Sequence, residues 1–199
     1  MLPYIRTTDF TTAAASLLTI ITTLKPSILP TREKEFDIWH KTAVLPTRAS
    51  SIYGLALYAK QEGFSPRVIV ENKEYTFPDY RFYKYTKNDI DQAKFSSDIL
   101  LKKALDAGIV VEEREIYFED VIKELKNNRI LLLRINAKPI RHSKRNSTKF
   151  IVVHGFDGKY FQIVDPALGG LSIPKEVMKK SFESLETKKH KDHRMIIFE

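Results

Sequence analysis

The pattern of apolar and polar positions changes period along the chain, from helical in the first part to alternating in the second. Residues 10–24, FTTAAASLLTIITTL, carry no charged side chain. A surface helix shows a polar stripe at helical period, and here only hydroxyls separate the Leu, Ile and Ala positions, so the stretch is predicted as a helix buried nearly all round. Five Thr and one Ser interrupt it before Lys25 and Pro26, whereas spanning a membrane takes about 20 predominantly apolar residues. Asp9 or Thr11 is the expected cap, which leaves Thr12 in the first turn near the positive end of the helix dipole. After Pro26 and Pro30, Thr31 caps a second helix running to about Val44, with Phe36, Trp39 and Ala43 on one face. A third helix begins at Ser50 or Ser51 and stops at Gly63, directing Ile52, Leu55, Ala56 and Ala59 inward. Asn88 is the expected cap of a fourth, ended by Gly108.

Strand signals dominate the remainder. Residues 2–6 read as a short leading strand, with Pro3 tolerable at its start or on a sheet edge. Residues 66–71 alternate Val68 and Val70 with polar neighbours. Strands over 109–117 and 130–135 flank a helix over 119–126, and residues 150–156 and 160–164 form a hairpin around Asp157-Gly158. Asp165-Pro166 ends that hairpin, Gly169-Gly170 reads as loop, and a helix over 176–185 and a strand over 195–198 complete the chain. Early helices followed by a strand-rich second half describe an α+β chain. Nothing repeats at a fixed period and no linker divides it, so residues 1–199 are expected to form a single domain with a substantial core.

Composition narrows the chemistry. No apolar run elsewhere reaches spanning length, and Arg6 and Asp9 stand where a secretory signal needs its own pattern, so a cytoplasmic location without a membrane partner is the default expectation. The chain has no Cys, which excludes disulfides, thiolate metal sites and a cysteine nucleophile of its own. Its 33 Lys and Arg against 25 Asp and Glu give a net charge of +8, compatible with nucleic acid, with an anionic peptide, or with a merely solvated basic surface. Abundant Lys, Glu and Ile without Cys fits a thermophilic source. His40, His142, His154, His190 and His193 form no HExxH or comparable ligand pair, so no metal is expected, and the lack of a glycine-rich phosphate loop points to no cofactor. Tyr75, Phe77, Tyr80, Phe82, Tyr83 and Tyr85, interleaved with Arg81 and Lys84, suit packing of a loop onto the core better than stacking of nucleobases.

Three motifs resemble one known family. TTDFTTAAA at residues 7–15 resembles the TTDFTCGPA signature of the C39-like peptidases, relatives of the bacteriocin-leader peptidases within the papain-like cysteine peptidases. SSIYGLALYAKQEGF at residues 50–64 is similar to that family's SPYGLALAAxxxGF segment. KFIVVHGFD at 149–157, followed by VDP at 164–166, is similar to its HWVVVTGFD strand and DP turn. The resemblance implies a papain-like fold, with N-terminal helices packed on a C-terminal antiparallel sheet and the nucleophile helix at the centre. It also implies where a catalytic apparatus would lie. Thr12 stands at the nucleophile position, Arg6 at that of the oxyanion-hole Gln, Lys149 at that of the His, and Asp165 at the third triad position, the one member retained. Strand alternation sets His154 on the opposite face from Lys149, Ile151 and Val153, so it is expected to be structural or exposed rather than a substitute base.

These residues leave three functions open. In the first the protein is a pseudopeptidase that binds a peptide or small anionic ligand, or acts through protein contacts. Arg6 and Lys149 then set two positive charges beside a helix N-terminus, which favours an anion, with Thr12 donating a hydrogen bond and Asp165 completing the site. The bland counterpart has Asp165 neutralising Lys149 and Arg6 pointing to solvent. The second is an unusual Thr-Lys peptide or amide hydrolase, which needs a desolvated Lys149, whereas an adjacent Asp165 would keep that amine charged. The third is a basic nucleic-acid-binding protein, supported by the acid-free loop over residues 136–148, with Lys138, Arg141, Lys144 and Arg145, and by the basic tail over 188–194.

Overall fold

Strand alternation decides how the layers stack. The computed structural model describes residues 1–74, 85–189 and 191–199, so the aromatic-rich stretch up to residue 84 and His190 lie outside the described residues. The elements are, in order, α1 (Thr12–Leu24), α2 (Arg32–Thr42), β1 (Ala43–Val44), β2 (Ala49–Ser50), α3 (Ile52–Gln61), β3 (Arg67–Val70), α4 (Lys87–Asp106) and β4 (Val110–Glu113), then α5 (Phe118–Lys126), β5 (Ile130–Asn136), α6 (Lys138–Arg141), β6 (Thr148–Phe156), β7 (Tyr160–Asp165), β8 (Gly169–Pro174), α7 (Lys175–Lys189) and β9 (Arg194–Phe198). Among the described residues, seven strands form one sheet in the order β4-β3-β9-β5-β6-β7-β8. Every pairing in it is antiparallel except that of β3 with β4, which α4 connects, as a parallel pair requires a crossover. On one face Leu132, Val152, Val164 and Ile196 pack against α1 and α3. Their neighbours Leu131, Leu133, Ile151 and Ile197 face α5 and α7 on the other. The α+β architecture is as expected, with helices on both faces of the sheet.

The central helix solves the problem its sequence poses. Residues 12–21 of α1 are all buried, and the hydroxyls among them find acceptors within the fold. Thr19 Oγ1 donates to the Ala15 carbonyl at 3.1 Å, Thr23 Oγ1 to that of Thr19 at 2.8 Å, and Ser16 Oγ to that of Phe150 at 3.0 Å. The last bond ties α1 to β6. Hydroxyls bonded back to i−4 carbonyls allow a Thr-rich helix to be buried without orphaned polar groups.

Several local expectations are corrected. Residues 2–6 form no strand, because their amides are taken elsewhere: Tyr4 N donates to Thr19 Oγ1 at 3.1 Å and Arg6 N to the Pro166 carbonyl at 2.8 Å. Helix α4 is capped by Thr86 rather than Asn88, since Thr86 and Asp89 close a reciprocal capping box. The strand expected over 109–117 keeps only Val110–Glu113. Gly169-Gly170 is not loop but the start of β8; Gly169, at φ +89°, turns the chain so that it pairs at once with Asp165.

The N-terminal segment is held by a single buried side chain. Glu35, in the first turn of α2, is fully buried, and among the described residues it has no ion-pair partner. Its oxygens accept from Thr7 N at 3.0 Å, Thr7 Oγ1 at 2.7 Å, Thr11 Oγ1 at 2.5 Å and the Tyr4 hydroxyl at 3.0 Å. Burial, reinforced by this carboxylate, pushes the Tyr4 phenol up to about 12. Glu35→Ala orphans these donors and is expected to cost about 2–4 kcal/mol, lowering the unfolding midpoint by roughly 5–15 °C in a thermal melt, with Glu35→Gln intermediate. A midpoint equal to that of the wild type would contradict this role.

Candidate functional site

The head of α1 is closed by contacts that reach Thr12 from two sides. Arg6 is fixed through its amide on Pro166, and its guanidinium donates to Thr12 Oγ1 at 3.0 Å and to the Asp9 carbonyl at 3.1 Å, while pairing with the Asp9 carboxylate at 2.6 Å. Thr12 Oγ1 in turn donates to the Asp9 carbonyl at 3.1 Å. Arg6 therefore lies against Thr12 and does not point to solvent. Thr11 is the N-cap residue, yet its side chain makes no capping bond, because Glu35 takes its hydroxyl.

Lys149 and Asp165 are separated by a third side chain. Asp165 is completely buried and receives a bidentate pair from Arg141, Nε to Oδ2 and Nη2 to Oδ1, both at 2.8 Å, with a further bond from Ala167 N at 2.8 Å. The planar guanidinium fork, presented at the end of α6 inside the stretch expected to be loop, satisfies both carboxylate oxygens in a way an ammonium cannot. Two expectations about Asp165 are thereby corrected: it does not neutralise Lys149, and it is too deeply enclosed to touch a ligand. Lys149, half-buried near the start of β6, has no ion pair among the described residues. Burial, then the charges of Arg6 and Arg141, push its amine below the ordinary lysine value, against a smaller opposite pull from Asp9 and Asp165. Between the lowered folded value and the ordinary one the unfolded chain holds more protons at this position, so its contribution to stability rises with pH. Lys149→Met is therefore expected to melt higher than wild type at neutral pH, with an advantage that shrinks as pH approaches the usual lysine range. An advantage that grows with pH would refute the assignment.

Thr12 and Lys149 line one cleft of about 340 Å³, together with Asp9, Phe10, Arg48, Tyr85, Arg134, Lys191 and Arg194. Its character is cationic, for Asp9 is the one carboxylate among the described lining residues. Arg134 and Arg194 share Asp192, at 2.9 and 2.5 Å. Burial, with Arg134 next, brings the Lys191 amine down to about 7. Arg48 is exposed, stands over the Phe10 ring at 5.7 Å, and has no carboxylate partner among the described residues. Sequence reasoning missed Arg48 and Arg134, and it read Lys191 and Arg194 only as part of the basic tail and not as cleft lining. A lone Arg inside the apolar runs LLLRIN and RMIIF is the signal that could have singled out Arg134 and Arg194. His154 is not part of the cleft lining; it is half-buried at the irregularity after Val153, where burial and then the chain's amino terminus lower its pKa. Among the described residues no group of three or more His, Asp or Glu side chains is placed to hold a metal ion, and no helix is long and apolar enough to cross a membrane.

A central helix packed on a mostly antiparallel sheet is the arrangement the motifs imply, and the family model described as Peptidase_C39 like matches residues 2–190. The chain belongs to the Peptidase_C39 like family. No curated protein matches it. Among solved structures, a double glycine motif protease from an AMS/PCAT transporter, in complex with the leader peptide, is similar at 15% identity and a TM-score of 0.50, covering 100% of this chain and 93% of that one. A structure described as a C39-like peptidase from Bacillus anthracis is similar at 11% identity and a TM-score of 0.48, covering 100% of this chain and 94% of that one. The first of these likenesses is one of fold. Within this C39-like chain the Arg141–Asp165 pair is the buried ionic link between α6 and the β7–β8 turn. Arg141→Met leaves Asp165 uncompensated and is expected to cost about 3–5 kcal/mol in denaturant unfolding. A loss below about 1 kcal/mol would show the pair to be dispensable.

Proposed function

We propose that the protein is a catalytically inactive member of its peptidase-like family and that the cleft at the head of α1 binds an anionic ligand, an acidic peptide segment or peptide carboxylate. The observation that carries this reading is the state of the Thr12 hydroxyl. A hydroxyl nucleophile needs a base to take its proton, and this one donates to the Asp9 carbonyl while accepting from Arg6. The proton is thus committed to a carbonyl rather than to a base, and the oxygen already accepts from a guanidinium, which lowers its nucleophilicity. No thiol is available in the chain to replace it. What remains is electrostatic: Lys149 and Arg48 without carboxylate partners among the described residues, and an N-terminus of α1 that its N-cap side chain leaves uncapped. The leader peptide held by the double glycine motif protease supports a peptide as the occupant.

One observation favours a second reading. Burial lowers the Lys149 pKa, and Asp165 is committed to Arg141, which removes the main objection to a Thr-Lys hydrolase. That chemistry further requires Thr12 to release Asp9 and turn to Lys149.

The two readings separate by experiment. A mixed pool of peptide and amide substrates is expected to show no turnover by wild type or by Thr12→Ala; turnover abolished by the substitution would make Thr12 a nucleophile and overturn the proposal. For binding, a fluorescent acidic peptide is expected to lose about tenfold in affinity with Lys149→Ala, the equivalent of one charge-assisted hydrogen bond of about 1.4 kcal/mol. Equal affinity for both proteins would remove Lys149 from the site.

A further inference from the structure

Two basic stretches that lie far apart in sequence meet in a groove between α6 and α7, on the sheet face opposite α1. The groove, about 550 Å³, is lined by Lys138, His142, Lys180 and Lys188, by Asn136, Ser143, Asn146 and Ser184, and at its floor by Pro139 and Val177, with no carboxylate among its described residues. Lys138, Lys180 and Lys188 are exposed, and among the described residues none of them forms an ion pair.

The groove is built rather than incidental. Asn136, completely buried, donates through Nδ2 to Asn146 Oδ1 at 2.9 Å and to Ser184 Oγ at 3.0 Å, and accepts at Oδ1 from the amides of Lys138 and Ser147, each at 3.2 Å. Three of these bonds order the basic stretch around Asn136, and the one to Ser184 ties it to α7. Helix α7 keeps its carboxylates off this side. Lys180, Ser184 and Lys188 recur at i, i+4 and i+8 and face the groove, while Glu183 and Glu186 line a different depression together with Lys179.

We propose that this groove binds the phosphodiester backbone of nucleic acid, without reading its sequence. Lysine ammonium groups suit phosphate as point charges, and Lys180 and Lys188 lie about 12 Å apart along α7, a length over which one duplex strand presents roughly three or four phosphates. The lining holds no Phe, Tyr or Trp on which a base could stack, and His142 is its one ring, so backbone charge dominates recognition. It also holds none of the large exposed apolar side chains that would anchor a lipid surface. The inference is independent of the cleft at α1, which lies on the other side of the sheet.

The test is fluorescence anisotropy of a labelled duplex of about 20 base pairs, long enough for several phosphate contacts, titrated with the full chain across a range of salt. The expected result is salt-dependent binding by wild type. The triple variant Lys138→Ala, Lys180→Ala, Lys188→Ala should reduce the slope of log affinity against log salt by about 3, near 1 per phosphate contact removed. A control removes the same number of charges on α4, with Lys87→Ala, Lys102→Ala and Lys103→Ala, and should change the slope by less than about 1. Equal losses in the two triples would show diffuse charge attraction and overturn the groove as a site. No binding by wild type at low salt, or binding to phosphatidylserine vesicles in place of the duplex, would overturn it as well.

Discussion

A buried carboxylate with no ion-pair partner among the described residues organises the N-terminal part of the molecule. Moving Glu35 out of water is expensive unless its lone pairs are fully engaged, and the chain meets that cost with hydroxyls and an amide from Tyr4, Thr7 and Thr11. The charge also lies in the first turn of α2, and Thr11, the N-cap residue of α1, bonds it, so helix dipoles add support. The segment from residue 4 to residue 11 is thereby fixed across the head of α1. Arg6 lies within that segment, and the clamp brings it to where it bonds Thr12 and Asp9.

The same dependence explains what the cleft can do. At the head of α1 the Thr12 oxygen accepts from the Arg6 guanidinium and its hydroxyl donates to the Asp9 carbonyl, and on the proposed reading this disfavours attack and leaves positive potential. Arg141 takes Asp165 out of the site altogether, and Lys149 is left desolvated among like charges. The fold is that of a C39-like peptidase, and on the reading proposed above the charges at its centre hold an anion rather than cleave an amide.

The parts of this arrangement that sequence made legible are those set by periodicity. An uncharged run of Leu, Ile, Ala and Thr marked α1, and alternation around Asp157-Gly158 marked the β6–β7 hairpin. The motifs pointed to the two walls of the cleft, with Thr12 on one and Lys149 on the other. What escaped depends on side-chain partners that no spacing rule encodes. Arg141 belonged to a stretch read as basic loop, and only the tertiary fold aims it at Asp165. Arg134 and Arg194 converge on Asp192 from different strands. Thr86 won the cap of α4 over Asn88 through a reciprocal bond with Asp89, and Gly169 started a strand because a positive φ turns the chain directly back onto Asp165.

On the proposed reading Lys149 is a partly buried amine that takes an anion, and its titration reports this directly. Lysine side-chain NMR of the selectively labelled protein, assigned with Lys149→Met, should show an amine that titrates below the ordinary lysine value in the unliganded protein. On saturation with an acidic peptide the same signal should move upward, since an opposite charge favours the protonated form. An ordinary titration that the peptide leaves unchanged would contradict the account.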